Sequence, residues 1–286
     1  MNYFVIGDPV EHSVSPQIHN TIFEYYDSPE KYEKVHVKKD DIKVLVEKFR
    51  QEGRGFNITV PHKSNIIPYL DGISEEARLV NAVNTVVKKS GLLMGYNTDI
   101  EGFAMQVSHA GCRLQGARVK IIGAGGAARA IAYSAFKHGA RIITIYNRTI
   151  SKAEDITNML SVANIEETTN CQLYAKVLSD FDAGFCDILV NATSVGLGKG
   201  HEEEMPIESL EGILPHTVLF DIIYEPSQTR LMREAVKYGN RTCNGLDMLI
   251  YQGVIANDIW CGFGAAKNQE LIAEIRRKLL VRKVLL

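Results

Sequence analysis

The sequence predicts an α/β protein of two lobes. β-prone and helix-period segments alternate along most of the 286 residues, a length about twice that of a typical 150-residue domain. After Gly116 the alternation sharpens into strand–turn–helix–strand units, which implies a parallel sheet with right-handed crossovers. The composition, 45% hydrophobic and 23% charged, is that of an average globular chain and excludes disorder. With 32 Lys+Arg against 34 Asp+Glu the formal charge is −2, so no general attraction to nucleic acid or anionic membrane is expected.

Tyr3-Phe-Val-Ile reads as a strand ending at Gly7, and Pro16 to Tyr26 as a helix with Ile18 and Ile22 at helical spacing. Tyr32 to Val37 alternates as a strand. Asp40 is predicted to cap a helix carrying Ile42, Leu45, Val46 and Phe49. Gly55-Phe-Asn-Ile-Thr59 is strand-like, and the runs from Asn84 and Leu92 form a hairpin. Thr98 with Glu101 has capping-box spacing, as does Ser151 with Glu154. Strands follow at Arg118–Ile122, Arg141–Tyr146, Asp187–Asn191 and Thr217–Asp221, with a helix from Gly125 to His138. The join of the lobes is predicted near residues 100 to 105. The basic amphipathic segment Gln269 to Leu286 is expected to pack on its own domain, and the acidic Glu202-Glu-Glu204 to be a solvated loop.

The opening Met1-Asn-Tyr-Phe-Val-Ile-Gly-Asp-Pro9 has no basic stretch before its acid and proline, which argues against a signal peptide. No run approaches about 18 consecutive apolar residues, the length of a spanning helix. Cys112, Cys171, Cys186, Cys243 and Cys261 are odd in number and widely spaced, as free thiols of a reducing cytoplasm are. The eight histidines show no metal spacing, so no metal is expected.

Gly123-Ala-Gly-Gly-Ala-Ala128 follows a strand and opens a helix. Glycine suits a tight turn whose backbone approaches a pyrophosphate held by helix N–H groups, so Gly123, Gly125, Gly126, Ala127 and Ala128 are candidate dinucleotide contacts. NAD-selective sites carry an acid about 20 residues on. Here the second strand ends Tyr146-Asn147-Arg148-Thr149 with no acid, and Lys152 follows. Arg148 can hold a 2′-phosphate, so NADP(H) is predicted over NAD(H). Thr193, in Asn191-Ala-Thr-Ser-Val-Gly196, follows a further strand and is placed to line the same cleft.

The first lobe carries polar clusters. Ser13 and Ser15 alternate onto one side at a helix start, where two hydroxyls and helix N–H groups hold a carboxylate; the alternative is that Ser15 merely caps the helix. In Asn57-Ile-Thr-Val-Pro-His-Lys63, Pro61 is read as opening a helical turn that contains Lys63. The positive end of that helix would lower the lysine pKa and suit it to acid/base work, against the alternative of a solvated lysine. Asp99 stands at a helix start and is a candidate partner for Lys63.

These segments together resemble the shikimate dehydrogenase family. The resemblance rests on His12-Ser-Val-Ser-Pro-Gln-Ile-His-Asn20, Gly55 to Lys63, Asn81-Ala-Val-Asn-Thr85, Gly95-Tyr-Asn-Thr-Asp99 and the glycine turn. It continues in Asn147-Arg-Thr149, Asn191-Ala-Thr-Ser194, Asp221-Ile-Ile-Tyr-Glu-Pro226 and Gly245-Leu-Asp-Met-Leu-Ile-Tyr-Gln-Gly253. The resemblance implies a substrate-binding domain of residues 1–101 plus 246–286, a Rossmann-type NADP-binding domain of 102–245, and C-terminal helices returning to the first lobe. It implies that Lys63 is the catalytic acid/base with Asp99 as partner, and that Ser13 and Ser15 take the substrate carboxylate. Thr59, Asn84, Asp99 and Gln252 would bind ring hydroxyls, while Tyr224, Gly245 and Met248 would lie near substrate and nicotinamide. The implied activity is NADPH-dependent reduction of 3-dehydroshikimate by a cytoplasmic monomer or homodimer. The alternatives are a quinate/shikimate dehydrogenase using NAD and a non-catalytic NADP(H)-binding sensor. Two departures are the Ala128-Arg129 pair, where many members have Ser-Arg, and the acidic loop after Gly200, expected to touch no site.

Overall fold

The computed structural model describes residues 3–166, 170–198 and 200–282. The chain forms two compact units, Met1–Gly102 with Leu249–Leu286, and Phe103–Met248.

In the first unit β1 (Tyr3–Gly7) is buried along its whole length. Helix α1 (Ser15–Tyr25) begins with Pro16 in its first turn and buries Ile18, Ile22 and Phe23. β2 (Tyr32–His36) follows, then α2 (Ile42–Glu52), whose buried Ile42, Val46 and Phe49 recur at helical spacing. Asp40 is not its cap; it lies in a short 3-10 turn, Lys39–Asp41, that leads into α2. Next come β3 (Gly55–Ile58), β4 (Gly72–Ile73) and α3 (Glu75–Val80), capped by the Ser74 hydroxyl, which accepts from the Ala77 N–H. β5 (Thr85–Lys89) and β6 (Leu92–Tyr96) form the hairpin. Its turn is Ser90-Gly91, both with positive φ, as a tight two-residue hairpin turn requires. The sheet order is β2-β1-β3-β5-β6-β4, with β5 antiparallel to both neighbours. Alternation sends Phe4 and Ile6 to one face, against Phe49 and Phe56, and Tyr3 and Val5 to the other, against Phe23 and Trp260.

Helix α4 (Asp99–His109) carries the chain into the second unit. There β7 (Arg118–Ile122), α5 (Gly126–Lys137), β8 (Ile142–Asn147), α6 (Ile150–Glu166) and β9 (Gln172–Val177) make one half of a doubly wound fold. β10 (Ile188–Asn191), β11 (Val218–Asp221), α7 (Arg230–Lys237) and β12 (Arg241–Cys243) make the other. Every strand pair is parallel, in the order β12-β11-β10-β7-β8-β9. The direction of winding reverses between β7 and β10, and ligands of such sheets sit beyond the carboxyl ends of the strands at that point. Because α6 starts at Ile150, Ser151 and Glu154 both lie within the helix rather than forming its cap. Helix α8 (Leu246–Cys261) returns to the first unit, where α9 (Gln269–Arg282) packs on α1 and buries Leu271, Ile272, Ile275 and Leu279. Among the described residues no helix is long and apolar enough to cross a membrane, and all five cysteines are free.

Lys63 departs from expectation. It lies in an irregular turn before a 3-10 helix, Ile67–Tyr69, not in a helical turn. The Lys63 carbonyl accepts from the Val83 N–H at 2.8 Å, so this backbone is committed to the strand side of the unit and no α-helix develops. The helix-dipole argument for its amine therefore falls.

Candidate functional site

What engages the lysine is a carboxylate. Lys63 Nζ donates to Asp99 Oδ2 at 2.6 Å, with the two side chains 21% and 10% exposed. That exposure leaves the pair reachable by a ligand while the surrounding bonds hold its geometry. Asp99 occupies the first turn of α4, and its other oxygen, Oδ1, accepts from Asn84 Nδ2 at 2.9 Å. The same amide donates to Thr98 Oγ1 at 3.0 Å, and Asn84 Oδ1 accepts from the Thr98 N–H at 2.8 Å. Thr98 Oγ1 lies 3.5 Å from Gln252 Oε1, and Gln252 Nε2 donates to the Leu249 carbonyl. Lys63, Asn84, Asp99 and Gln252, four predicted site residues, are thus linked through Thr98.

Two members of this cluster escaped the sequence reading. The spacing of Thr98 and Glu101 predicts only a helix cap, yet the Thr98 hydroxyl donates to Asn84 Oδ1. Asn57 is buried in β3, donates to the Asn84 carbonyl and to Thr85 Oγ1 at 3.0 Å each, and accepts from the Tyr32 hydroxyl at 2.6 Å. A polar residue inside an otherwise apolar strand was the available signal. Ser13 Oγ donates to Ser15 Oγ at 3.1 Å and accepts from the Ser15 N–H. The cap position of α1 is Val14, without a side-chain bond, so Ser15 is not the cap and both hydroxyls cluster at the helix start. Thr59 is half-buried just after β3, its N–H bound to the Ile6 carbonyl.

In the second unit Gly123 has φ +108°, and a Cβ there would meet the Ala192 carbonyl oxygen and Thr193 Cγ2 at 3.0 Å. Only glycine fits that approach. A Cβ on Gly125 or Gly126 would meet nothing within 4 Å, and no side chain caps α5, so its first-turn N–H groups face open space. They are the groups that bind phosphate at helix starts. A cavity of about 850 Å³ is lined by Gly123, Gly125, Asn147, Arg148, Thr193 and Arg230 among others. The Arg148 side chain is exposed and, among the described residues, has no ion-pair partner. Asn147 Nδ2 donates to the Thr149 carbonyl at 2.9 Å.

Other predicted contacts fall outside this lining: Gly126, Ala127, Ala128, Thr149 and Lys152, and likewise Tyr224, Gly245 and Met248. Ala128 is fully buried, a packing position. Gly245 has a packing reason too, since a Cβ there would lie 2.0 Å from the Ile222 carbonyl oxygen. Burial pushes the Tyr224 phenol up. The acidic loop corrects the expectation that it touches no site. Glu203, Glu204 and Glu208 line the cavity, because Ile207 is anchored in the core of the unit and Arg230 Nη1 donates to the Glu203 carbonyl at 2.8 Å.

Comparison with known proteins finds matches in both parts of the chain. Residues 5–86 match the family pattern of the shikimate dehydrogenase substrate binding domain, and residues 105–222 that of shikimate / quinate 5-dehydrogenase. The chain belongs to the shikimate dehydrogenase family. It is 39% identical over 263 residues, 90% of each chain, to the shikimate dehydrogenase (NADP(+)) of Alkaliphilus metalliredigens. Among solved structures it is similar to the shikimate 5-dehydrogenase of Listeria monocytogenes in complex with shikimate and NAD, at 33% identity and a TM-score of 0.86, covering 98% of this chain and 96% of that one. The 5-ketofructose reductase of a Gluconobacter species is equally similar in fold, at 34% identity and a TM-score of 0.86 over 98% of each chain.

Proposed function

We propose that this family member interconverts 3-dehydroshikimate and shikimate with NADP(H), a cytoplasmic step of aromatic amino-acid biosynthesis. The Lys63–Asp99 pair, 2.6 Å apart and braced by Asn84, carries the reading. When bound, the reduced nicotinamide supplies a hydride to the 3-keto carbon. Lys63 Nζ gives its proton to the carbonyl oxygen as that oxygen becomes a hydroxyl, and takes it back in the reverse direction. Asp99 holds the ammonium in place through Oδ2 and accepts from a ring hydroxyl. Asn84, Thr59 and Gln252 complete the hydroxyl contacts, with Tyr224 beside the ring. Ser13 and Ser15 receive the carboxylate.

The residues of the second unit fit the cofactor. Bare first-turn N–H groups of α5 suit the pyrophosphate, and exposed Arg148 suits a 2′-phosphate, with Asn147, Thr149 and Lys152 adding donors and charge. Gly123 to Ala128 shape the turn, Thr193 a further wall, and Gly245 and Met248 the nicotinamide side. The serine pair favours a carboxylated substrate over an uncharged ketose, because bonds from its hydroxyls to an ionised carboxylate are stronger than those to neutral hydroxyls. Absorbance at 340 nm should show turnover with shikimate and NADP, and far less with quinate, with NAD or in the reduction of 5-ketofructose. No turnover with any of these pairs would leave only cofactor binding and defeat the assignment.

A further inference from the structure

Asp221, at the end of β11, is 1% exposed and is bonded only by uncharged donors among the described residues. Oδ1 accepts from Asn191 Nδ2 at 3.1 Å and from the Ile223 N–H at 3.0 Å; Oδ2 accepts from Asn191 Nδ2 at 3.1 Å and from Thr229 Oγ1 at 2.8 Å. We propose that Asp221 is a positioning residue that sets the walls of the dinucleotide cavity through Asn191, Thr193 and Thr229. The proposal rests on reading that cavity as the NADP(H) site.

The direction of each bond carries the argument. An ionised carboxylate only accepts, so Asn191 must present its NH₂ to Asp221 and its Oδ1 to the other side. That oxygen takes the Thr193 N–H at 3.1 Å and the Thr193 hydroxyl at 2.7 Å. Having donated its proton backward, Thr193 Oγ1 is left to accept from the Val195 N–H at 3.1 Å. Thr193, Ser194 and Val195 all line the cavity. The second arm runs through Thr229, which caps α7 by accepting from the Met232 N–H, directly before the lining residue Arg230. An asparagine at 221 would turn an NH₂ toward donors and scramble this polarity. Burial pushes the Asp221 carboxyl up and the four bonds oppose it. Leaving a carboxylate in such a place is costly, and fixing the direction of two loops is what it achieves.

The test uses Asp221→Asn and the reciprocal double variant Asn191→Asp/Asp221→Asn, which restores an acceptor facing an amide. Amide hydrogen exchange of the cofactor-free protein is read at Thr193 and Val195, which do not bond residue 221, and NADP⁺ binding is read by titration calorimetry. Asp221→Asn should speed both amides at least about tenfold and weaken NADP⁺ binding about tenfold, and the double variant should recover most of each loss. Unchanged exchange in Asp221→Asn, or no recovery in the swap, overturns the proposal. Should neither variant fold, the unaltered protein still decides: Thr193 and Val195 must exchange as slowly as the amides of β10, and rapid exchange refutes the relay. Because exchange is read without cofactor or turnover, failure here is separable from failure of the assigned activity.

Discussion

Replacing Lys63 by methionine removes the proton while keeping an unbranched side chain of similar length. A general acid typically contributes roughly 10²- to 10⁴-fold, or about 3 to 5 kcal/mol of barrier. Turnover of 3-dehydroshikimate should fall by that factor with its Michaelis constant changed only a few-fold. Asp99→Asn would leave one neutral oxygen facing two donors, Lys63 Nζ and Asn84 Nδ2, in place of the charged 2.6 Å bond. A hydrogen bond to a charged group is worth about 1.5 to 3 kcal/mol, which predicts a loss of roughly 10- to 150-fold. Because Asp99 acts on the proton through Lys63, the double variant at saturating substrate should turn over no more slowly than Lys63→Met alone, while the weakened ring-hydroxyl bond of Asp99 shows in the Michaelis constant. Steady-state kinetics at 340 nm with saturating NADPH measure all three. A double variant whose loss equals the product of the two single losses, or a Lys63→Met enzyme within threefold of the parent, would refute the paired acid.

Ser13→Ala should raise the Michaelis constant for 3-dehydroshikimate about tenfold, the worth of one bond to a carboxylate, and leave turnover nearly intact; a fall in turnover alone would contradict the carboxylate role. Arg148→Asp should raise the NADPH Michaelis constant roughly 100-fold and leave that for NADH within a few-fold, and equal effects on both would remove the phosphate clamp. Glu203, Glu204 and Glu208 oppose a polyanionic ligand, so changing all three to glutamine should lower the NADPH Michaelis constant roughly 3- to 10-fold, and the NADH constant less. The same net change made at Glu33, Glu47 and Glu211 should do neither. His19, fully buried against Tyr32, has its pKa pushed down to about 3 by desolvation from an ordinary 6.5. Its neutral form therefore supports the fold fully above pH 6.5, and that support is lost as the pH falls from 6.5 toward 3, by up to about 1.4 kcal/mol per unit. Urea midpoints between pH 7 and 5 should drop more steeply for the parent than for His19→Phe, and parallel curves would show that His19 is not responsible.

The sequence by itself determined whatever depends on neighbours along the chain. β-prone runs marked β1 and β3, alternation marked β2, the Ile42–Val46–Phe49 spacing marked α2, and the strand before Gly123 with the helix after it marked the dinucleotide turn. The absence of an acid after Tyr146 was equally local. Local signals misled where one residue type serves two purposes: Pro61 opens a turn as readily as a helix, and the Lys63 carbonyl bonds Val83 instead of a helical N–H. The tertiary structure alone decided which distant groups meet. Asn57, Thr98 and Asn84 share bonds only because β3 pairs with β5 and α4 starts beside them. Glu203 and Glu204 look like a solvated run until Ile207, held in the core, brings them to the cavity. Asp221 reaches Asn191 because β11 pairs with β10, and Gly123 must lack a side chain because β10 also pairs with β7. Propensity and periodicity act over a few residues, whereas strand order is set by burying whole faces at once, and the polar contacts follow from that order.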